Sequence, residues 1–316
     1  MPTPVTGLAV VIVTYNNQAD LPVCLDALKA HGSGAYVVVR DCNSTDDTVV
    51  IAKAHPAVSR VVTGDNVGFG AACNDAVRSI ERPVEMLLIL NPDTALDCDL
   101  ADVLRYIERY GDGFGCIGIQ QRSFADRLVW SWDEFPTPRL EWQKARSATL
   151  LQRSPTGYPH DRQVDWVMGA FLLVPRTSFE AVGGFDERFF LFCEEIDLCK
   201  RLAESGRPNY YVSEFHYLHD RSDKATLWRE VLRLNSRRAY DRKWLSSVDT
   251  LLCQFAHTYR WIHDAIWPSD ARARRLALPR LLATWNLIHA ITPPEAVPGP
   301  LDSWRSVRPG WRTKVR

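Results

Sequence analysis

Glu194, Glu195 and Asp197 stand close together, directly after the apolar run Phe189-Phe190-Leu191-Phe192. A carboxylate beside apolar walls binds its proton more tightly than one in water, which suits a general base. Acids in the first turn of a helix are also favoured by its dipole, so a structural role competes. Asp93 follows Asn91-Pro92 at the end of an apolar segment. A carboxylate there needs water, a cation or a donor. Hard cations such as Mg²⁺ and Mn²⁺ take one or two carboxylates together with substrate phosphates. The competing role for Asp93 is to cap the next turn. Asp41, Asn43, Ser44 and Asp46 form another polar cluster. Their short side chains suit a base edge, a ribose or a phosphate, and equally an Asx turn before a helix. His216 and His219 follow Glu195 by 21 and 24 residues, and either could complete a metal site with Asp93.

Buried strands must position these groups. LAVVIVT (8–14), YVVVR (36–40), residues 58–63 and MLLIL (86–90) are short apolar runs of the kind buried on both faces of a sheet. Helices are predicted between them over 21–30, 48–54 and 71–80, the first with Asp20 as N-cap and Pro22 in its first turn. This alternation means a doubly wound parallel sheet, and such sheets bind ligands at the carboxyl ends of their strands. Each of the four strands ends in a polar cluster or a glycine-bearing turn. Further on, a helix is predicted over 100–110, a loop or lid over 130–139 and one strand over 164–174. A short helix over 178–182 ends at Gly183-Gly184, and another helix spans 193–203. A strand over 210–212 precedes the histidine segment 214–220. Residues 225 to about 290 read as helical, and the Pro- and Gly-rich tail from 292 reads as loose. Gly68-Phe69-Gly70 is misplaced for a dinucleotide fingerprint, because the first strand–helix turn, residues 15–20, has no glycine. This argues against a nicotinamide-dependent dehydrogenase.

Five blocks, residues 10–17, 41–46, 66–74, 90–94 and 183–201, occur in the order and with the spacing of a known family. Together they resemble the family 2 glycosyltransferases of the GT-A fold, and most strongly the bacterial rhamnosyltransferases. GGFDERFFLFCEEIDLCKRL is the most diagnostic string. The resemblance covers residues 8–225. It implies an α/β GT-A domain over 1–224, with a donor half (about 1–95) and an acceptor half (about 96–224). A basic helical extension (225–291) and the tail (292–316) follow.

The implied activity is inverting transfer of a sugar, with L-rhamnose from dTDP-rhamnose as best match, assisted by Mn²⁺ or Mg²⁺. Thr14, Tyr15 and Asn16, with Asp41, Asn43, Ser44 and Asp46, would hold base and ribose. Asn66, Gly68, Phe69 and Asn74 would line the donor sugar and diphosphate. Asp93 occupies the second Asp of the family's D-x-D metal motif, and Asn91 stands where many relatives have the first. Glu195 falls at the catalytic base, where Asp is usual, with Glu194 and Asp197 in support. Asp197 is the next candidate should the longer Glu195 overreach. His219 falls at a metal-binding His, with His216 the alternative. Asp165, Trp166, Gly169, Phe185 and Asp186 would shape the acceptor pocket. The implied acceptor is a glycan or a polyprenyl-diphosphate-linked intermediate. The Asn and Glu departures leave a second reading, a nucleotide-sugar or glycan-binding relative with impaired catalysis.

The 316 residues are 46% hydrophobic and 24% charged, which excludes a disordered or collagen-like chain. Net charge is zero, so no nucleic-acid partner is expected. The charge is uneven, however. Residues 221–316 hold 18 Lys and Arg against 8 Asp and Glu. With Arg272, Arg274, Arg275 and Arg280 beside Trp261, Trp267 and Trp285, this suggests contact with an anionic membrane surface. Packing on the catalytic domain or a homodimer is the alternative. Eight cysteines without a C-x-x-C pair suggest reduced thiols. MPTPVTG lacks a basic signal-peptide start, and no apolar run nears the ~20 residues of a membrane span. The expected location is the cytoplasm, peripheral at the inner face of the plasma membrane.

Overall fold

A computed structural model describes residues 7–111, 113–146, 160–219, 226–268, 271–289 and 308–309. The chain divides into two compact units. The first comprises Met1–Phe135, Ser154–Arg188 and Glu194–Arg221; the second comprises Pro136–Arg153, Phe189–Cys193 and Ser222–Arg316.

The first unit is built on a mixed sheet. Its strands are β1 (Leu8–Thr14), β2 (Tyr36–Asp41), β3 (Arg60–Thr63), β4 (Met86–Leu90), β5 (Thr94–Leu96), β6 (Ile117–Arg122) and β7 (Leu128–Val129). There follow β8 (Trp132–Asp133), β9 (Arg162–Val164), β10 (Trp166–Val167), β11 (Phe171–Pro175) and β12 (Asn209–His219). The order is β3-β2-β1-β4-β11-β6-β12-β5, with β7 on β6 and β9 on β12; β8 and β10 pair separately. Every residue of β1 is buried. Leu8, Val10 and Ile12 enter one core with Leu88 and Leu90 of β4, while Ala9, Val11 and Val13 enter the other with Leu87 and Ile89. Alternation at period two thus feeds two apolar layers, as expected of a sheet covered on both faces.

Strands β1 to β4 pair in parallel, but β11 runs antiparallel between β4 and β6. The segment expected as one strand over 164–174 is broken. It bends at Asp165, whose Oδ2 accepts the Phe135 N–H at 2.6 Å, and turns again at Gly169 before β11. The expected loop or lid over 130–139 holds β8 and the start of the Pro138–Arg146 helix. Conversely, the two pieces expected over 210–220 are one strand, β12, whose register shifts between Val212 and His216. The Leu21–His31 helix forms as predicted, but the Asp20 side chain makes no capping bond. The next two predicted helices are Thr48–Ala54 and Phe69–Arg78.

The second unit contains the helices Leu227–Trp244, Ser247–Ile266 and Ala271–Thr284. Thr226 and Ser246 cap the first two by accepting the N–H of Arg229 and Asp249. Glu141 is buried between Arg237 (3.3 Å) and His257 (2.8 Å). Burial opposes its ionisation, but the attraction of Arg237 and the His257 bond together hold its carboxyl well below the usual range. Three residues expected at a membrane surface are engaged within this unit. Arg280 pairs with Glu230 at 3.1 Å, Trp261 donates to Thr284 and Trp285 to Thr258. The Arg272 side chain, and the tail from 292 except 308–309, lie outside the described residues.

The chain leaves the Arg176–Ala181 helix through Gly183 and Gly184, with φ +78° and +70°. A Cβ on Gly184 would lie 2.5 Å from Asn74 Oδ1, the atom that accepts the Phe185 N–H. Gly184→Ala is therefore expected to destabilise the fold by about 1–3 kcal/mol. An unchanged thermal melting curve would contradict this account of the turn.

Candidate active site

Polar side chains that cannot enter either core collect at the carboxyl ends of β1, β2 and β4. Asp41 is 1% exposed, and its carboxylate accepts from Thr14 Oγ1 (2.8 Å), Ser44 N (2.8 Å) and Ser44 Oγ (2.5 Å). The Ser44 hydroxyl also accepts the Asn16 N–H, and Asn16 Oδ1 accepts the Thr45 N–H, each at 2.8 Å. Asn16 and Asn43 take left-handed backbone at φ +55° and +63°, which asparagine tolerates better than most residues. These bonds lock the β1 and β2 loops together. Asp46 is tied down by Thr48 and Gln18: burial pushes its pKa up, but the donors outweigh that and lower it. Asp46 thus serves the Thr48–Ala54 helix start, while exposed Asn16 and Asn43 are left to face solvent.

The sheet places one histidine at Asp93. In the antiparallel pairing of β12 with β5, His219 stands opposite Thr94. His219 Nε2 comes within 3.2 Å of Asp93 Oδ1. His216, three residues earlier, faces the other side of the strand and pairs with Asp97 at 2.7 Å. His219 is held from behind. The Gln121 amide nitrogen lies 3.0 Å from His219 Nδ1 and donates to the His219 carbonyl, and the Tyr217 hydroxyl donates to Gln121 Oε1. Neither Gln121 nor Tyr217 was marked by the sequence, since a glutamine or tyrosine in a strand carries no recognisable spacing. Among the described residues no group of three or more His, Cys, Asp or Glu side chains is arranged to hold a metal ion. The Asp93–His219 pair offers one carboxylate and one imidazole side by side.

Glu194, Glu195 and Asp197 open the Glu194–Glu204 helix but have three different surroundings. Glu194 is 5% exposed, and its Oε2 has no hydrogen-bond partner among the described residues. Burial, and then the charge of Glu195, push its pKa well above the usual carboxylate range. Glu195 is half-buried beside Gly169, where an added Cβ would lie 3.5 Å from Glu195 Cβ. Asp197 is fully buried and paired with Arg201 at 2.8 Å; Arg201 also donates to the Val182 carbonyl. That pair anchors the first turn of the helix that carries Glu195. The chain enters this helix through Phe192 and Cys193, both left-handed at φ +72° and +69°. Such conformations cost about 1–3 kcal/mol each in non-glycine residues and concentrate at functional sites.

Residues 9–165 match the family model for glycosyl transferase family 2. Rhamnosyltransferase WbbL of Escherichia coli K12 is 29% identical over 221 residues, spanning 66% of this chain and 82% of its own length. An N-acetylglucosaminyl-diphospho-decaprenol L-rhamnosyltransferase of Mycobacterium tuberculosis is 29% identical over 240 residues, spanning 68% of this chain and 76% of its own. The chain carries a glycosyltransferase family 2 domain. It is a transferase with the GT-A fold. In fold it resembles a Pyrobaculum calidifontis mannosyltransferase solved with GDP-Man and Mn²⁺, at TM-score 0.57 and 15% identity, covering 88% of this chain and 86% of that one. It also resembles S. aureus TarS 1-349 solved with UDP, at TM-score 0.52 and 16% identity, covering 86% and 75%.

The glycosyltransferase keeps several expected contact residues for its own architecture. The Asn74 amide donates to the Phe185 carbonyl (2.9 Å) and to Glu187 (3.0 Å), so it clamps the chain after Gly184. Phe185 is 2% exposed and packs edge-on against Phe69 and Phe179, which makes it core rather than acceptor lining. Asp186 is paired with Arg188 at 2.5 Å, and Asp165 holds Phe135 as described above. Trp166 is half-buried and donates to the Glu134 carbonyl at 3.0 Å. Asn66 Oδ1 accepts the Gly68 N–H at 3.4 Å, shaping the turn before the Phe69–Arg78 helix. Asn91 is half-buried, and its carbonyl accepts the Thr94 hydroxyl at 2.7 Å.

Two outcomes test these assignments. Because Glu194 binds its proton more tightly folded than unfolded, the unfolded chain ionises first as pH rises above about 4.5. The wild type is therefore expected to lose stability with rising pH from there until its folded-state pKa is passed, and Glu194→Gln to lack that loss. Parallel urea midpoints for the two proteins between pH 4 and 8 would refute a raised pKa for Glu194. Asp197→Ala, which strands Arg201, is expected to cost about 3–5 kcal/mol of stability, read by urea denaturation.

Proposed function

We propose that this protein is an inverting glycosyltransferase that moves L-rhamnose from dTDP-rhamnose to a hydroxyl of a glycan or polyprenyl-diphosphate-linked acceptor. The observation that carries the reading is the Asp93–His219 pair at the sheet edge, in the same unit as the half-buried carboxylate of Glu195. The names of the relatives support rhamnose as the sugar and, for the mycobacterial protein, a decaprenyl-linked acceptor. Residues 1–224 form the catalytic part and 225–291 a helical extension, with the enzyme working at the cytoplasmic membrane face.

Glu195 takes the proton of the acceptor hydroxyl onto a carboxylate oxygen. The acceptor oxygen bonds to the anomeric carbon as the bond from that carbon to the diphosphate breaks. Attack comes from the face opposite the leaving group, so configuration inverts. The Glu195 carboxylate, half-buried beside the buried Glu194, is the group that receives the proton. The β1 and β2 loops, fixed through Asp41 and Ser44, offer Asn16, Asn43 and Tyr15 to base and ribose. Asp93 and His219 would hold Mn²⁺ or Mg²⁺, which when bound offsets negative charge on the diphosphate.

Glu195→Gln is expected to lower turnover of dTDP-rhamnose by about 10²–10⁴-fold while dTDP still raises the melting temperature. EDTA or Asp93→Ala should remove the metal-dependent part of that thermal shift. Wild-type turnover by Glu195→Gln would instead favour a different base. Stabilisation by UDP-sugars alone would reassign the donor.

A further inference from the structure

The Ser247–Ile266 helix carries a long apolar stripe on its exposed side. Val248, Leu252, Phe255, Tyr259, Ile262 and Ile266 recur at spacings of four and three, so they share one face. Each is 41–67% exposed. The opposite face buries Cys253, Ala256 and Asp264, and Asp264 pairs with Arg260 at 3.0 Å, with side-chain exposures of 4% and 14%. Water-facing helices do the reverse. A continuous exposed apolar stripe over about five helical turns marks a surface that something covers.

Charge selects the occupant. The Ala271–Thr284 helix packs beside this one through the Trp261–Thr284 bond. It presents exposed Arg274, Arg275 and Leu278, and Trp267 at the end of the stripe is 67% exposed. The one other acid of the striped helix, Asp249, is held at its first turn by Ser246. Residues 221–316 carry 18 basic against 8 acidic side chains. A second copy seated on the stripe would bring arginine against arginine. An anionic bilayer offers the complement: headgroup charge for the arginines, an acyl boundary for the apolar side chains and an interface for Trp267. No helix among the described residues is long and apolar enough to cross a membrane.

We propose that the exposed face of Ser247–Ile266 lies in the plane of an anionic lipid surface, with Arg274 and Arg275 on its headgroups. This deepens the membrane-face part of the proposed function and rests on that reading only for its biological setting. It moves the contact from the arginine–tryptophan set marked by the sequence to an apolar stripe that set did not include.

The test is co-sedimentation of the full chain with vesicles of phosphatidylcholine alone, or mixed equally with phosphatidylglycerol. Binding is expected to the mixed vesicles and to weaken with salt. The double variant Phe255→Ser/Ile262→Ser should bind about tenfold or more weakly, and Arg274→Glu/Arg275→Glu likewise. Each variant should keep the wild-type thermal shift with dTDP, because these residues lie outside the donor site. Wild-type vesicle binding by the Phe255→Ser/Ile262→Ser variant would overturn the proposal. So would a dimer in analytical ultracentrifugation that this variant converts to monomer, which would assign the stripe to a second copy. A dTDP shift without vesicle binding sinks the docking face alone. Vesicle binding without any nucleotide shift sinks the proposed function and leaves the docking face standing.

Discussion

Strands β1 and β4 have no polar face. Their side chains enter apolar layers on both sides of the sheet, so polar groups are admitted only where these strands end. The catalytic half of the protein follows from that exclusion. Thr14, Asp41 and Asp93 all lie at or just past strand ends, and short connections leave them near one edge. Such carboxylates need partners, and the fold answers each differently. Asp41 is satisfied by a serine and a threonine, Asp46 by a helix start, and Asp93 by a histidine from a distant strand.

The three carboxylates of the Glu194–Glu204 helix show how one sequence cluster acquires three functions. They differ in depth and in company. Asp197 is fully buried and committed to an ion pair with Arg201. Glu194 is buried beside another acid, and burial and that neighbour both raise its proton affinity. Glu195 alone retains some contact with solvent. The left-handed backbone at Phe192 and Cys193 immediately precedes them.

The helical unit has an apolar core of Trp228, Val231, Leu232, Leu234 and Ala283. It also buries charges, as in the Glu141–Arg237–His257 and Arg260–Asp264 contacts, and leaves one long apolar stripe outside. A buried charge is tolerable only when paired, and here arginine and histidine supply the partners. An exposed apolar stripe is tolerable only when covered. In the proposed docking, an anionic lipid surface is that cover.

Local chemistry in the sequence determined the parallel β-α-β opening, because β-branched runs and polar strand ends act over a few residues. It also determined the acidic helix start and the basic character of the last third. Only the tertiary structure decided which groups meet. His219 rather than His216 reaches Asp93 because strand faces alternate and β12 pairs with β5 across more than a hundred residues of chain. The antiparallel insertion of β11, the use of Asn74 as a backbone clamp and the burial of Phe185 depend likewise on long-range register. Spacing along the chain records the type of a side chain, whereas its charge state and exposure are set by neighbours that folding brings from elsewhere. That is why the carboxylates were legible in the sequence, while the raised proton affinity of Glu194 and the outward face of Ser247–Ile266 were not.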